Sequence, residues 1–137
     1  MRILRSIAAI VAGLGFMSAT TTVGMLVTSV AFGETREGIS APTPPSEFFY
    51  VSLIVLGMGG VMGGWLAARI ATFAPYGHAA AMAAIVAVVS IELVAAAPPV
   101  PGQPGWYPSA IGLAAVIGIL FGGKLRSAAS VPLANRA

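Results

Sequence analysis

The chain has 137 residues, of which 58% are hydrophobic and only 8% are charged, and its mean hydropathy is +0.94. Soluble domains are about one quarter charged, so this composition excludes a soluble globular protein and suits about four membrane-spanning helices with short connections. The lack of cysteine excludes disulfides and thiolate chemistry, and the seven Lys and Arg residues are too scattered for nucleic-acid binding. We therefore expect an all-α membrane protein with a single four-transmembrane-helix bundle.

The first predicted span covers about residues 7–32 and follows a short basic start. Arg2 and Arg5 before an apolar run are also typical of a secretory signal peptide. This run has the length of a membrane span, however, so we expect an uncleaved helix. Thr20, Thr21 and Thr22 lie in mid-span. In lipid such hydroxyls usually donate to the carbonyl one turn earlier, and contact with an intramembrane acid is the alternative.

A polar segment, residues 33–46, connects the first two predicted spans. It carries Glu34, Arg36 and Glu37, and its net negative charge and prolines are typical of an exposed loop on the outer side. Ser46 is expected to cap the second helix, and Glu47 is favourable in its first turn.

The second predicted span, about residues 47–73, has aromatic residues near both ends. Residues suited to the two membrane interfaces are Phe48, Phe49 and Tyr50 on one side and Trp65, Phe73 and Tyr76 on the other. Arg69 follows Trp65 by one turn and is expected to anchor the helix by extending toward the headgroups. A specific site for a lipid headgroup or a partner is the alternative for Arg69.

The middle of the second span is rich in glycine, in the segment GMGGVMGGWLAAR. Small residues recur every four positions in two adjacent rows, which are Gly59, Gly63 and Ala67, and Gly60, Gly64 and Ala68. In water each glycine would weaken the helix by about 0.5–1 kcal/mol. In lipid, rows of small residues let another helix lie very close. We therefore predict that the bundle packs around this helix.

The third and fourth predicted spans cover about residues 79–97 and 108–123. The short segment between Ala74 and His78 predicts that the second and third spans form an antiparallel hairpin. Pro98 and the prolines after it end the third span. At the start of the fourth span, Trp106 and Tyr107 are predicted interface anchors, and Pro108 suits the first turn of the helix. Farther along, Gly118 and Gly122 form a second small-residue row. Residues 127–137 are expected to form a polar, loosely structured tail.

The basic residues predict the orientation of the bundle. With four spans, the residues that fall on one side are Arg2, Arg5, Arg69, His78, Lys124, Arg126 and Arg136. The other side has only Arg36, which its acidic neighbours outnumber. Since positive charge accumulates on the cytoplasmic side, we expect both termini to be cytoplasmic.

Glu92 is the one acidic residue in the interior of a predicted span, since Glu47 lies at the very start of the second span. An ionised carboxylate is costly in lipid, so such a residue is usually paired or protonated and is a candidate functional site. Proton carriage or polar contact with a partner helix is one hypothesis. The other is a structural pairing, toward the outer interface or with Arg36 of the outer loop.

His78 is the single histidine, so a bis-histidine haem site within one chain is excluded. We interpret it as an interfacial residue beside a turn, and the alternative is one axial bond to a haem iron or a chlorophyll magnesium. No other cofactor is predicted, and no metal site, although bound lipid is expected. The sequence has no phosphate-binding loop, paired catalytic carboxylates or Ser/His/Asp set, so we do not expect an enzyme.

The chain resembles small uncharacterised four-span proteins of the bacterial inner membrane. The residues that carry the resemblance are the segment Gly63–Arg69, then Pro75 and His78, and then Trp106-Tyr107-Pro108. The resemblance covers about residues 52–124. It implies an inner-membrane location and no particular activity.

Two functions from different classes follow as hypotheses. The first is a non-catalytic accessory subunit that packs against other transmembrane subunits of a larger complex, with respiratory and photosynthetic complexes as natural hosts. The second is a small proton-coupled transporter that works as a homodimer with Glu92 as the ionisable group. It resembles small multidrug-resistance exporters in its four short spans and one membrane glutamate, but their key acid lies in the first span, which has none here.

Overall fold

The computed structural model describes residues 2–32, 44–71, 73–96, 98 and 100–129. Within these residues the chain forms four helices, α1 (Arg2–Ala31), α2 (Ser46–Ile70), α3 (Pro75–Ala96) and α4 (Tyr107–Ala129), and no strand. All four helices are long and apolar enough to cross a membrane. The predicted all-α fold is confirmed, and the chain is a multi-pass membrane protein.

Two helices, α1 and α4, are longer than the predicted spans because those spans stopped at charged residues that the helices include. α1 begins at Arg2 instead of about residue 7, and α4 continues to Ala129 instead of ending near Gly123. Lys124 and Arg126 therefore lie within α4, where cations near the last turn are favourable for the helix dipole. Residues 33–43 and 130–137, which include most of the predicted outer loop and tail, lie outside the described part of the chain.

The hairpin between α2 and α3 is tighter than predicted. α2 ends at Ile70 instead of residue 73, and α3 begins at Pro75 instead of residue 79. Proline suits the first position of a helix because its fixed φ is already helical and its missing N–H is not needed there. Tyr76 and His78 therefore belong to the first turn of α3.

The predicted cap of α2 is wrong. Pro45 occupies the N-cap position with φ −62° and ψ 153°, and no side chain caps the helix. Ser46 is the first helical residue, and its hydroxyl lies 3.3 Å from Oε2 of Glu47. Glu47 does lie in the first turn, where a negative charge is favourable.

One small-residue row of α2 lies against α4. A methyl group on Gly60 would come within 2.6 Å of the carbonyl oxygen of Ala115, and one on Gly64 would overlap the backbone of Ile119. From the opposite side, Gly118 and Gly122 of α4 lie against the α2 backbone at Gly57 and Val61. The two helices therefore touch backbone to backbone, which only small residues permit.

The other small-residue row of α2 lies against α1. A methyl group on Gly63 would come within 2.7 Å of Cβ of Met17 and 2.8 Å of the carbonyl oxygen of Gly13, and one on Gly59 would overlap the Thr21 hydroxyl. The two adjacent rows thus hold two different helices, and α2 is the central element of the bundle.

The threonines of α1 behave in two ways. The hydroxyl of Thr20 donates to the carbonyl of Phe16 at 2.8 Å, as expected, and Thr28 bonds Gly24 in the same manner. The hydroxyl of Thr21 is buried and has no hydrogen-bond partner among the described residues. It is directed at α2 because it fills the space that the missing side chain of Gly59 leaves.

All four helices meet at one end of the bundle. Ala67, Ala79, Met82, Ala83 and Ile119 form a buried cluster there, and residues of α1 such as Ile10 and Leu14 pack against it. We call this the basic end, because the described cations Arg5, Arg69, Lys124 and Arg126 lie on the helix termini that converge here. The alanines allow close approach, and Met82, which is fully buried, fills the remaining space.

A chain of aromatic rings joins three helices at the opposite end, which we call the aromatic end. Its successive ring centroids are 4.8–5.9 Å apart, in the order Phe32, Phe48, Phe49, Tyr107, Trp106 and Tyr50. These rings come from the end of α1, the start of α2 and the start of α4. The helix α3 contributes none of them.

Candidate functional site

The half of α3 that approaches the aromatic end is largely uncovered. The buried residues of α3 are Ala79, Met82 and Ala83, all near the basic end. Every residue from Ile91 to Ala96 is exposed. On this half the contact with α4 is made through Ser90, whose Cβ would lie 2.6 Å from a methyl group on Gly112.

Glu92 lies in this uncovered half and is exposed. Because α3 begins and ends earlier than predicted, Glu92 is about 6 Å from the end of the helix, somewhat closer than the sequence suggested. The contact of Ser90 with α4 shows how far Glu92 lies from the aromatic end. Ser90 lies beside Gly112, which is five residues into α4 from Tyr107. Glu92 is therefore about one helical turn inside the aromatic end.

The surroundings of Glu92 are apolar. Large exposed side chains next to it on α3 include Val88, Val89, Ile91 and Leu93. No ion pair to Glu92 occurs within residues 2–32, 44–71, 73–96 and 100–129, and the described cations lie at the basic end. The predicted pairing with Arg36 falls on a residue outside the described part of the chain. The carboxylate is thus presented on an apolar helix surface.

His78 lies in the first turn of α3 and is partly buried. Its Nδ1 is 3.1 Å from the carbonyl oxygen of Ala74, and a hydrogen bond there requires a proton on Nδ1. In this tautomer the available lone pair is on Nε2, so the ring could form one axial bond to a metal. Among the described residues no group of three or more His, Cys, Asp or Glu side chains could hold a metal ion.

Trp65 and Arg69 form one unit near the basic end. The guanidinium carbon of Arg69 lies 4.9 Å from the ring centroid of Trp65, within cation–π range. Both side chains are exposed. An aromatic ring with a cation held over its face suits the apolar–polar boundary of a membrane, which is the position that the anchoring interpretation predicts.

Trp106 and Tyr107, predicted to be equivalent anchors, differ in the structure. Trp106 is 45% exposed and stacks on Tyr50 at 5.9 Å. Tyr107 is only 4% exposed, and its ring meets Phe49 edge-on at 4.8 Å. Tyr107 therefore packs α4 against α2, and Trp106 faces the surroundings of the bundle.

A cleft separates α3 from α4 beside the uncovered half. Its volume is about 430 Å³, and its walls include Ala87, Ser90, Val94, Ser109, Gly112 and Val116. Val94 also borders a second cavity of about 230 Å³ under the connection to α4. That connection turns at Pro101 and Gly102, with Gln103 N–H donating to Val100 and φ of Gly102 at 79°, as a type II turn requires.

Comparison with protein-family models, with curated proteins and with solved structures gave no match.

The sequence did not predict the cleft or the uncovered half of α3. α3 is apolar on all sides, so its hydropathy cannot distinguish a face that packs from one that meets lipid. One signal was present: Ala79, Met82 and Ala83 follow helical spacing and are mostly small, whereas bulky Ile85, Val88 and Val89 occupy other positions. In a membrane, small residues mark the face that packs.

Proposed function

We propose that this chain is a non-catalytic subunit that packs against other transmembrane proteins in a larger complex of the bacterial inner membrane. The observation that carries the proposal is the position of Glu92, on a helix surface that the bundle itself leaves uncovered. An acidic side chain on a lipid-facing surface is unfavourable, and a neighbouring protein would relieve this cost.

The small-residue rows also support a subunit role, because they are already occupied. Gly59 and Gly63 lie against α1, and Gly60 and Gly64 lie against α4. The bundle is therefore held together internally, and its outer surfaces are left for partners. Respiratory and photosynthetic complexes are candidate hosts.

The proposed orientation places the basic end in the cytoplasm. The described cations Arg5, Arg69, Lys124 and Arg126 all lie there. Positive residues near span ends are retained on the cytoplasmic side, so both termini are proposed to be cytoplasmic.

A proton-coupled homodimeric transporter is the second candidate, favoured by the presence of Glu92 in a span. A transporter needs its ionisable group in a path between the two sides of the membrane. Glu92 is on the outside of the bundle, so such a path would have to form between two copies. This requirement makes the subunit proposal the stronger one.

Purification in mild detergent tests the two functions. A subunit should co-migrate with larger polypeptides on a native gel, in a constant ratio over successive columns. A transporter should run as a bare dimer and support proton-coupled uptake in vesicles, which Glu92→Gln abolishes because an amide cannot ionise. A bare dimer together with such uptake would replace the subunit proposal.

A further inference from the structure

We propose that one face of α3 binds a transmembrane helix of a different protein, and that this helix presents a lysine or arginine to Glu92. The α3 face consists of Ile85, Val88, Val89, Glu92 and Ala96, which follow helical spacing along one stripe. The inference rests on the proposed subunit function and adds to it the interface and the chemistry of the partner.

The α3 face is exposed along its whole length in the isolated bundle. Ile85, Val88 and Val89 are 44%, 60% and 50% exposed, and Glu92 and Ala96 are also exposed. The face is on the opposite side of α3 from Ser90 and Val94, which line the cleft toward α4. A helix can therefore lie along it without displacing α4.

Charge complementarity identifies the occupant. A carboxylate in an apolar environment is stabilised by a cation that also donates hydrogen bonds to it. The described part of this chain offers no such group near Glu92, because Arg5, Arg69, Lys124 and Arg126 are all at the basic end. We therefore place the complementary charge on another chain, and we test Arg36, which lies outside the described residues, by substitution.

A second copy of this chain does not supply that charge. Two parallel copies related by a twofold axis along the α3 face would bring Glu92 against Glu92, and like charges repel. Two antiparallel copies would place the basic end of one beside Glu92 of the other. That arrangement would put the cations of one copy on the non-cytoplasmic side, against the usual distribution of positive charge. A different protein is therefore the better partner.

The depth of Glu92 restricts where the partner's cation lies. Glu92 is about one turn inside the aromatic end, so the partner's basic residue belongs within roughly one turn of the same interface. A lysine or arginine there can lay its apolar stem along Val88 and Val89 while its charged group meets the carboxylate.

Photo-crosslinking in intact cells tests the position of the partner. Benzoylphenylalanine replaces Val88, on the α3 face, and in a matched control it replaces Val23, a similarly exposed valine of α1. We expect Val88→benzoylphenylalanine to crosslink to a transmembrane segment of another polypeptide, with a lysine or arginine within one turn of the linked residue by mass spectrometry. The control should not give this product.

Charge reversal tests the chemistry. Glu92→Leu should reduce co-purification of the crosslinked partner by about tenfold or more, and Glu92→Gln by less because the amide still accepts a hydrogen bond. Glu92→Lys should abolish co-purification, and changing the partner's basic residue to glutamate should restore it. Arg36→Gln is the control for a pairing within the chain and should have no effect.

Five results would overturn the inference: a crosslink from Val88 to a second copy, a crosslink to lipid alone, a crosslink of the partner at Val23 instead of Val88, normal co-purification of Glu92→Leu, or the same loss with Arg36→Gln. Because crosslinking uses chains that retain Glu92, it decides the question even if a Glu92 variant fails to fold. If the unmodified chain has no larger partner at all, the proposed function itself fails. If the partner is present but crosslinks at Val23, only this inference fails.

Discussion

The basic end and the aromatic end of the bundle are built from similar apolar residues, yet they pack differently. At the basic end Ala79, Met82 and Ala83 bring α3 into contact with the other three helices. At the aromatic end rings join α1, α2 and α4, while α3 is exposed from Ile91 to Ala96. In lipid a helix is held by close backbone approach, and the residues of α3 that are buried, Ala79, Met82 and Ala83, all lie in one of its halves.

This difference separates two uses of an apolar surface. The small residues near the basic end pack against other helices of the bundle, so substitutions there should change the stability of the isolated protein. The bulky residues of the α3 face are 44–60% exposed in the bundle, so substitutions there should act mainly on what the protein binds.

The largest expected effect concerns which end is cytoplasmic, because a topology reporter is either active or inactive. Fusions after Tyr76 and Ala137 should report a cytoplasmic position, and fusions near Ser40 and Gly102 a periplasmic one. Paired alkaline phosphatase and fluorescent-protein fusions measure this. A periplasmic signal at Ala137 would mean an odd number of spans or the reverse orientation.

The next largest effect is expected where α2 and α4 touch. Gly64→Leu would force a side chain into the backbone of Ile119, and α4 would have to move. Overpacking of this kind costs about 1–3 kcal/mol or more, so thermal stability in detergent should fall while membrane insertion stays normal. Gly60→Leu should act similarly, because a side chain there would meet the carbonyl of Ala115.

Gly15→Leu is the matched control for the glycine substitutions. Apart from its two chain neighbours and the nearby backbone of its own helix, no heavy atom lies within 4 Å of a methyl group placed there. The variant should keep the parent stability or gain slightly, since leucine is the better helix former. If Gly64→Leu and Gly15→Leu unfold alike, close contact between α2 and α4 does not stabilise the bundle.

The fold could be predicted from the sequence because membrane insertion limits the alternatives. Four apolar runs, a proline after the third and few charges leave little besides four helices. The glycine rows also predicted close packing of α2, but not that Gly59 would meet α1 while Gly60 meets α4. Adjacent rows differ by only about 100° around a helix, and a sequence does not say which neighbour occupies each direction.

The candidate site was less predictable than the fold. Glu92 is conspicuous in the sequence as an acid within an apolar run, and His78 as the single histidine. Whether Glu92 faces the bundle or lipid depends on how α3 is rotated and tilted. That is decided by the contacts of Met82 and of Ser90 with other helices, which involve residues far away in the sequence.

A smaller effect on stability is expected from two substitutions by alanine in α3, one at a buried and one at an exposed residue. Met82 is fully buried where four helices meet, whereas Val88 is 60% exposed. Met82→Ala should leave a cavity and lower stability by about 1–3 kcal/mol, less than in a soluble protein because lipid is as apolar as the core. Val88→Ala should change the stability of the isolated bundle very little. Thermal unfolding of both variants in one detergent measures the contrast, and equal losses would mean that α3 is packed evenly along its length.

The smallest effect is expected in the hairpin that fixes α3 at the basic end. Ala74 has φ of 44°, a left-handed conformation that is unfavourable for alanine and costs glycine nothing. It precedes Pro75, and its carbonyl accepts hydrogen bonds from the backbone N–H and Nδ1 of His78. Ala74→Gly relieves this unfavourable conformation, but glycine loses more conformational entropy than alanine on folding. The net effect should be an increase in stability of about 0.5–1 kcal/mol.

The control is the same substitution at Ala84, an exposed helical position of α3, where glycine should lower stability by about 0.5–1 kcal/mol. The two variants remove the same methyl group from residues ten positions apart, so opposite signs in thermal unfolding would isolate the contribution of backbone conformation. Equal losses would show that the turn at Ala74 is not left-handed in the membrane. The start of α3 would then be held by the packing of Ala79 and Met82, without help from the geometry of the hairpin.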